Sequence, residues 1–166
     1  MITIQPISED NVRDVLALKA SEELVAPNSL SLAQAYLSLK EAVDSNETHL
    51  NNMDVPYAIL NDEIVIGFLM ISFEDGEDIC SDDGDIYWLS RFMIDEKYQS
   101  KGLGKAALLK LIDFIKTKPN GNEAKSFYTS VVSDSVSPVA AKFYASVGFE
   151  KTGNMLEDEE IMRLIL

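Results

Sequence analysis

One cysteine, Cys80, and one histidine, His49, occur in 166 residues. A lone cysteine excludes an internal disulfide and a cysteine-rich metal site, and it fits a reducing compartment. His49 lies in the polar stretch 46–52 and reads as a surface residue. Asp82-Asp83-Gly84-Asp85 lacks the spacing of a calcium loop, so no metal is expected. Positive charge is scarce: 14 Lys+Arg stand against 28 Asp+Glu, a formal charge of -14. Such a field repels phosphate backbones and anionic lipid, which excludes generic nucleic-acid or membrane-surface binding. Long apolar runs are also missing. The longest, Ile64 to Ile71, is far short of the ~20 residues that cross a bilayer, and Met1 to Pro6 has no basic leader region. A cytoplasmic protein is expected. The surplus of acid has two readings, solubility or attraction of a cationic substrate.

With 46% hydrophobic residues, no repeat and no low-complexity linker, the chain is expected to form one domain over residues 1–166. Ile2 to Gln5 reads as a strand. Ser8 is a cap candidate for a helix with Val12, Val15 and Leu16 on its stripe. Ser31 and Gln34 have capping-box spacing ahead of a helix presenting Ala35, Tyr36, Leu39 and Val43. Val55 to Leu60 and Ile64 to Phe73, joined by Asn61-Asp62-Glu63, read as a hairpin.

In Asp85 to Ile94 apolar residues fall on both faces, Ile86, Trp88, Phe92 and Ile94 against Tyr87, Leu89 and Met93, as in a central strand. Ser90 and Arg91 interrupt it: a bulge, a face opening on a cleft, or a satisfied polar pair. A helix with Leu108, Leu111, Ile112 and Ile115 on one face follows, stopped by Pro119-Asn120-Gly121. Lys125 to Val132 is a strand, Ser137-Pro138 starts a short helix ending at Gly148, and strands resume at Phe149 and at Glu160 to Leu166. The order β-α-α-β-β-β-α-β-α-β-β, with a parallel crossover through the long helix, predicts an α/β fold built on a mixed (α+β) sheet.

Between a strand and that helix stands Gln99-Ser100-Lys101-Gly102-Leu103-Gly104-Lys105. Glycines there let backbone N–H groups crowd around an anion at the positive helix end. A P-loop is excluded, because no GxxxxGK[ST] string occurs. Gly102-x-Gly104-x-x-Ala107 satisfies a dinucleotide fingerprint, but no acidic residue ends the next strand, and about a hundred residues precede the loop. A tight turn between packed elements is the structural alternative.

The loop resembles the [QR]-x-x-G-x-[GA] segment of the GNAT superfamily of N-acetyltransferases. Residues 137–149, SPVAAKFYASVGF, are similar to that family's N-P-x-A-x-x-F-Y-x-x-x-G-F segment. Residues 87–95 with Tyr98-Gln99 are similar to the corresponding strand of bacterial spermine/spermidine acetyltransferases. The resemblance implies about seven mostly antiparallel strands with a central splayed parallel pair, four helices, and acetyl-CoA as cosubstrate. It implies that Gln99, Ser100, Lys101, Gly102, Leu103, Gly104 and Lys105 cradle the pyrophosphate, and that backbone groups of Phe92, Met93 and Ile94 hold the pantetheine arm. Tyr144 is then the general acid for the departing thiolate; without the motif it reads as a core aromatic beside Phe143.

Ser137 stands where the family has asparagine, and its shorter side chain puts a direct cofactor contact in doubt. Ser100 replaces a common glycine, tolerable where that residue does not need positive φ. The implied acceptor is a primary amine of spermine or spermidine. Seven acidic residues from Glu74 to Asp85, Glu74 and Asp85 among them, are candidates to steer it and to supply a base. Two alternatives stand beside this: a family member acting on a protein N-terminus, lysine, aminoglycoside or other small amine, and a module that binds acetyl-CoA without turnover. Many members of the family pair as homodimers, and exposed strand edges offer a route.

Overall fold

A computed structural model describes residues 1–20, 28–44, 53–79, 83–119, 123–132 and 138–166. Cys80, His49 and Ser137 lie outside the described residues, so the readings made of them are not addressed by it. The elements are β1 (Ile2–Pro6), α1 (Val12–Ala17), α2 (Asn28–Asp44), β2 (Val55–Asn61), β3 (Ile64–Asp75), β4 (Asp85–Ile94), α3 (Leu103–Lys116), β5 (Ser126–Val132), α4 (Pro138–Ala145), β6 (Glu150–Leu156) and β7 (Glu159–Ile165). The expected mixed α/β architecture is present: one seven-stranded sheet in the order β1-β2-β3-β4-β5-β7-β6. Every pairing is antiparallel except β4 with β5.

Helix α3 lays Leu108, Leu111, Ile112 and Ile115 on one sheet face, against Leu69, Ile71, Tyr87, Leu89 and Phe127. On the other face Val15 of α1 and Ala35 of α2 pack with Ala58, Phe68, Met70 and Met93. Strand β4 is thereby covered on both faces, which explains its apolar residues at odd and even positions alike.

The alternation along β4 departs from the sequence reading. Met70 pairs with Arg91 but Ile71 pairs with Leu89, so Ser90 is an extra residue without an opposite number. An inserted residue reverses the period-2 parity beyond it. Phe92 and Ile94 therefore join the face of Tyr87 and Leu89, while Met93 turns to Phe68 on the other. Of the three readings of Ser90-Arg91, the bulge is observed. Gly67, opposite Ile94, permits the close approach this requires, since a Cβ there would stand 2.4 Å from the Met93 carbonyl oxygen.

Two helix starts also differ. The Ser8 carbonyl, not its hydroxyl, accepts from Val12 N at 3.0 Å. The helix begins after Asn11, whose side chain accepts from Ser8 N and donates to the Pro6 carbonyl. Helix α2 begins at Asn28, so Ser31 and Gln34 fall inside it and Ser31 is buried. Leu16 and Tyr36, expected on apolar stripes, are exposed. None of the helices among the described residues is long and apolar enough to cross a membrane.

Candidate active site

The parallel ladder between β4 and β5 is short: Tyr87↔Phe127, Trp88↔Tyr128 and Leu89↔Thr129. Beyond Leu89 the bulge turns β4 away, and the strands part while β4 continues to Ile94 and β5 to Val132. No β4–β5 pairing continues beyond Leu89 and Thr129. A cleft of about 560 Å³ opens there. Phe92, Met93 and Ile94 form one wall, Val132 the end of β5, and Val139, Ala140, Phe143 and Tyr144 the α4 side.

The glycine loop closes the cleft at the N-terminus of α3. Gly102 has φ 75°, and a Cβ there would meet nothing within 4 Å, so its left-handed backbone and not crowding is what calls for glycine. Ala106 N bonds to the Gly102 carbonyl at 3.1 Å, the first helical hydrogen bond. The preceding N–H groups have no partner within the helix and form the positive end of its dipole. The Gln99 side chain donates to the Ile94 carbonyl at 2.8 Å, tying the loop to the end of β4. Lys105 Nζ donates to the Ser146 carbonyl at 2.8 Å, fastening the start of α3 to the end of α4.

The expected loop residues divide. Gln99, Ser100, Gly102, Gly104 and Lys105 line the cleft. Lys101 and Leu103 do not: Lys101 is exposed, donates to the Lys97 carbonyl and lies over the Tyr98 ring, while Leu103 packs against the core. Ser100 has φ 59°, so the position does adopt positive φ and the stated condition for an unstrained serine is not met.

Glu74 and Asp85 are not at the cleft. They lie at the far end of the β3–β4 ladder, where Glu74 pairs with Ile86 and Asp75 with Asp85, roughly 25 Å along the strand from Met93. Adjacency in sequence to the start of a strand does not bring a residue to its other end. Asp83, from the same acidic segment, is engaged internally: its carboxylate accepts from Tyr128 Oη at 2.7 Å and from Arg163 Nη2 at 2.8 Å. Partial burial pushes its pKa up, but hydrogen bonds from Ser126 and Tyr128 with the charges of Arg163 and Lys125 together hold it below the usual value.

Tyr144 is 8% exposed, between Phe143 and Phe149, with ring centroids 5.2 and 5.4 Å away. Burial pushes its phenol up to about 12, against a smaller opposing effect of a hydrogen bond with Thr129 and with added upward pressure from the charge of Glu159. A phenol held protonated at the mouth of a splayed strand pair can deliver a proton into the cleft.

Several cleft or near-cleft residues were not picked out as functional from sequence. Val139, Ala140 and Phe143 sat inside the motif that placed Tyr144, so a signal existed. Ala20 had none: it reaches the cleft because buried Asp95 accepts from Lys19 N at 2.9 Å and Lys97 N at 3.0 Å. Two serine–carboxylate contacts flank the parting of the strands, Ser90 Oγ to Asp54 Oδ1 at 2.5 Å and Ser130 Oγ to Glu159 Oε2. Among the described residues no group of three or more His, Cys, Asp or Glu is placed to hold a metal ion.

The model of the acetyltransferase (GNAT) family matches residues 22–149. The chain belongs to this family. It is a GNAT N-acetyltransferase with the fold that the motifs implied. A spermine/spermidine N(1)-acetyltransferase of Bacillus subtilis is 29% identical over 97% of this chain and 96% of its own. Among solved structures, the PaiA N-acetyltransferase of Thermoplasma acidophilum in complex with coenzyme A superposes with a TM-score of 0.66 at 15% identity, covering 100% of this chain and 99% of that one. The ribosomal-protein-S18-alanine N-acetyltransferase of Escherichia coli gives 0.60 at 16% identity, over 99% and 94%. At these identities the two structures bear on the fold alone.

Proposed function

We propose that the chain acts as one acetyltransferase unit that moves the acetyl group of acetyl-CoA to a primary amine of spermine or spermidine by direct attack, with Tyr144 as general acid. The observation that carries this reading is a buried phenol, Tyr144, lining the same cleft as Phe92 to Ile94 beyond the end of the β4–β5 ladder. The polyamine acceptor is supported by the Bacillus relative and by the formal charge of -14, which attracts a polycation.

In this reading the N–H groups at the start of α3, with Ser100, Gly102 and Lys105 around them, receive the pyrophosphate. The small, apolar walls of Ala140, Val139 and Val132 fit a slender pantetheine arm. A main-chain N–H near Phe92, released from β5 pairing by the bulge, faces the thioester oxygen as it gains charge. The amine nitrogen forms the new C–N bond, the C–S bond breaks, and Tyr144 protonates the leaving thiolate.

The test is thiol release from acetyl-CoA with spermidine, spermine, a lysine peptide and an aminoglycoside, using wild type and Tyr144→Phe. Turnover confined to the polyamines and lowered about 10²-fold or more by the substitution is expected. Turnover confined to another amine would remove the polyamine assignment. An undiminished Tyr144→Phe variant would remove the general-acid role, and coenzyme A binding without turnover on any amine would favour a non-catalytic module.

A further inference from the structure

Amine acetylation needs a proton acceptor. A primary alkylammonium has a pKa of about 10 and carries no lone pair until it loses a proton. Among the described residues, the cleft lining includes no aspartate, glutamate or histidine. A base drawn from the described residues therefore stands beside that lining, where the strands part.

The geometry there singles out one carboxylate. Pairing of β4 with β5 ends at Thr129; Phe127 and Val131 lie in the core under α3 and α4, and Thr129 between them shares that face. By alternation Ser130 faces the opposite side of the sheet. Its hydroxyl donates to Glu159 Oε2. Glu159 opens β7 and pairs across the ladder with Val132, which lines the cleft. Glu159 is only partly buried, so solvent and substrate can reach it.

We propose that Glu159, oriented by Ser130, is the general base of the reaction. This rests on acetyl transfer to an amine as described above, but not on which amine. The charge of Glu159 also adds to the upward push on the Tyr144 phenol. Of the other charges on these elements among the described residues, Arg163 of β7 pairs with Asp83 and Lys151 of β6 with Glu160, Glu150, Glu157 and Asp158 are exposed, and Arg91 of β4 is half-buried on the sheet face of Met93.

The protons balance. The ammonium gives one proton to Glu159, which passes it to water, and the freed nitrogen attacks the thioester carbon. As the C–S bond breaks, sulfur takes the Tyr144 proton, and the second proton lost by the nitrogen restores the phenol. The net release is one proton per acetyl group transferred.

The test compares wild type with Glu159→Gln and Ser130→Ala on whichever amine the wild type acetylates, with coenzyme A binding measured by calorimetry on each. Glu159→Gln is expected to lose about 10²-fold or more in kcat/KM for the amine while binding coenzyme A as wild type does. Its deficit should shrink about tenfold per pH unit toward the amine's own pKa, because solution then supplies free amine. Ser130→Ala should fall less. Wild-type kcat/KM in Glu159→Gln, a deficit that ignores pH, parallel loss of coenzyme A binding, or the same loss arising from Asp54→Asn instead would overturn the assignment. Since wild-type turnover is the reference, activity on a different amine would fault the polyamine reading and leave this one tested.

Discussion

A single backbone angle separates Ser100 from the glycine common at its position. At φ 59° its Cβ crowds the following carbonyl, a strain of about 1–2 kcal/mol that glycine does not carry. Glycine also gives the unfolded chain more freedom, so Ser100→Gly should gain about 0.5–1 kcal/mol, read as a rise in thermal midpoint. A lowered midpoint would show that the serine makes a compensating contact. Gly67 is the opposite case: alanine would press on the Met93 carbonyl at 2.4 Å and should cost about 2–3 kcal/mol in urea unfolding. Burial pushes the Tyr144 and Tyr87 phenols up to about 12. The folded chain thus keeps protons that the unfolded chain releases near its ordinary value of 10.0. Their contribution to stability is complete below that pH and is lost as pH rises through about 12. Activity that depends on the Tyr144 proton should accordingly show no alkaline fall from this group up to about pH 10, checked by a kcat profile.

Strand β4 shows how far elements could be read from composition and spacing. Its limits, its central position and the parallel crossover were legible because apolar residues on both faces and a glycine-bounded amphipathic helix each leave a periodic trace. The location of the irregularity was legible too, in Ser90-Arg91, but its nature was not: a bulge is a two-strand property, and the reversed facing of Phe92, Met93 and Ile94 depends on the partner register. The start of α2 was misplaced because the Ser31–Gln34 spacing of a capping box also occurs inside a helix that begins earlier, at Asn28. Helix α3 was legible from its stripe. Fully buried Leu111→Ala should cost about 2–5 kcal/mol, measured by denaturant midpoint at constant m-value. A cost below about 1 kcal/mol would mean that α3 is not integral to the core.

Over the whole molecule, the candidate site was legible where chemistry follows sequence motifs and illegible where it follows topology. Gly102 and Tyr144 announced themselves; Ala20 lines the cleft through the hydrogen bonds of Asp95, and the proposed base Glu159 and its partner Ser130 are brought together through strand order. The charge of -14 acts at this scale as well. It draws in a polycation and repels an anionic cosubstrate, so rising salt should raise the KM for spermidine and not that for acetyl-CoA. Parallel rises would argue against electrostatic capture of the acceptor. The central claim is that this chain acetylates a polyamine, and product analysis of purified protein with acetyl-CoA and spermidine tests it most directly. Monoacetylated spermidine formed at about one turnover per second or faster, in step with thiol release, is the expected result. Thiol release without acetylated spermidine, or no acetyl transfer above the uncatalysed rate, would contradict it.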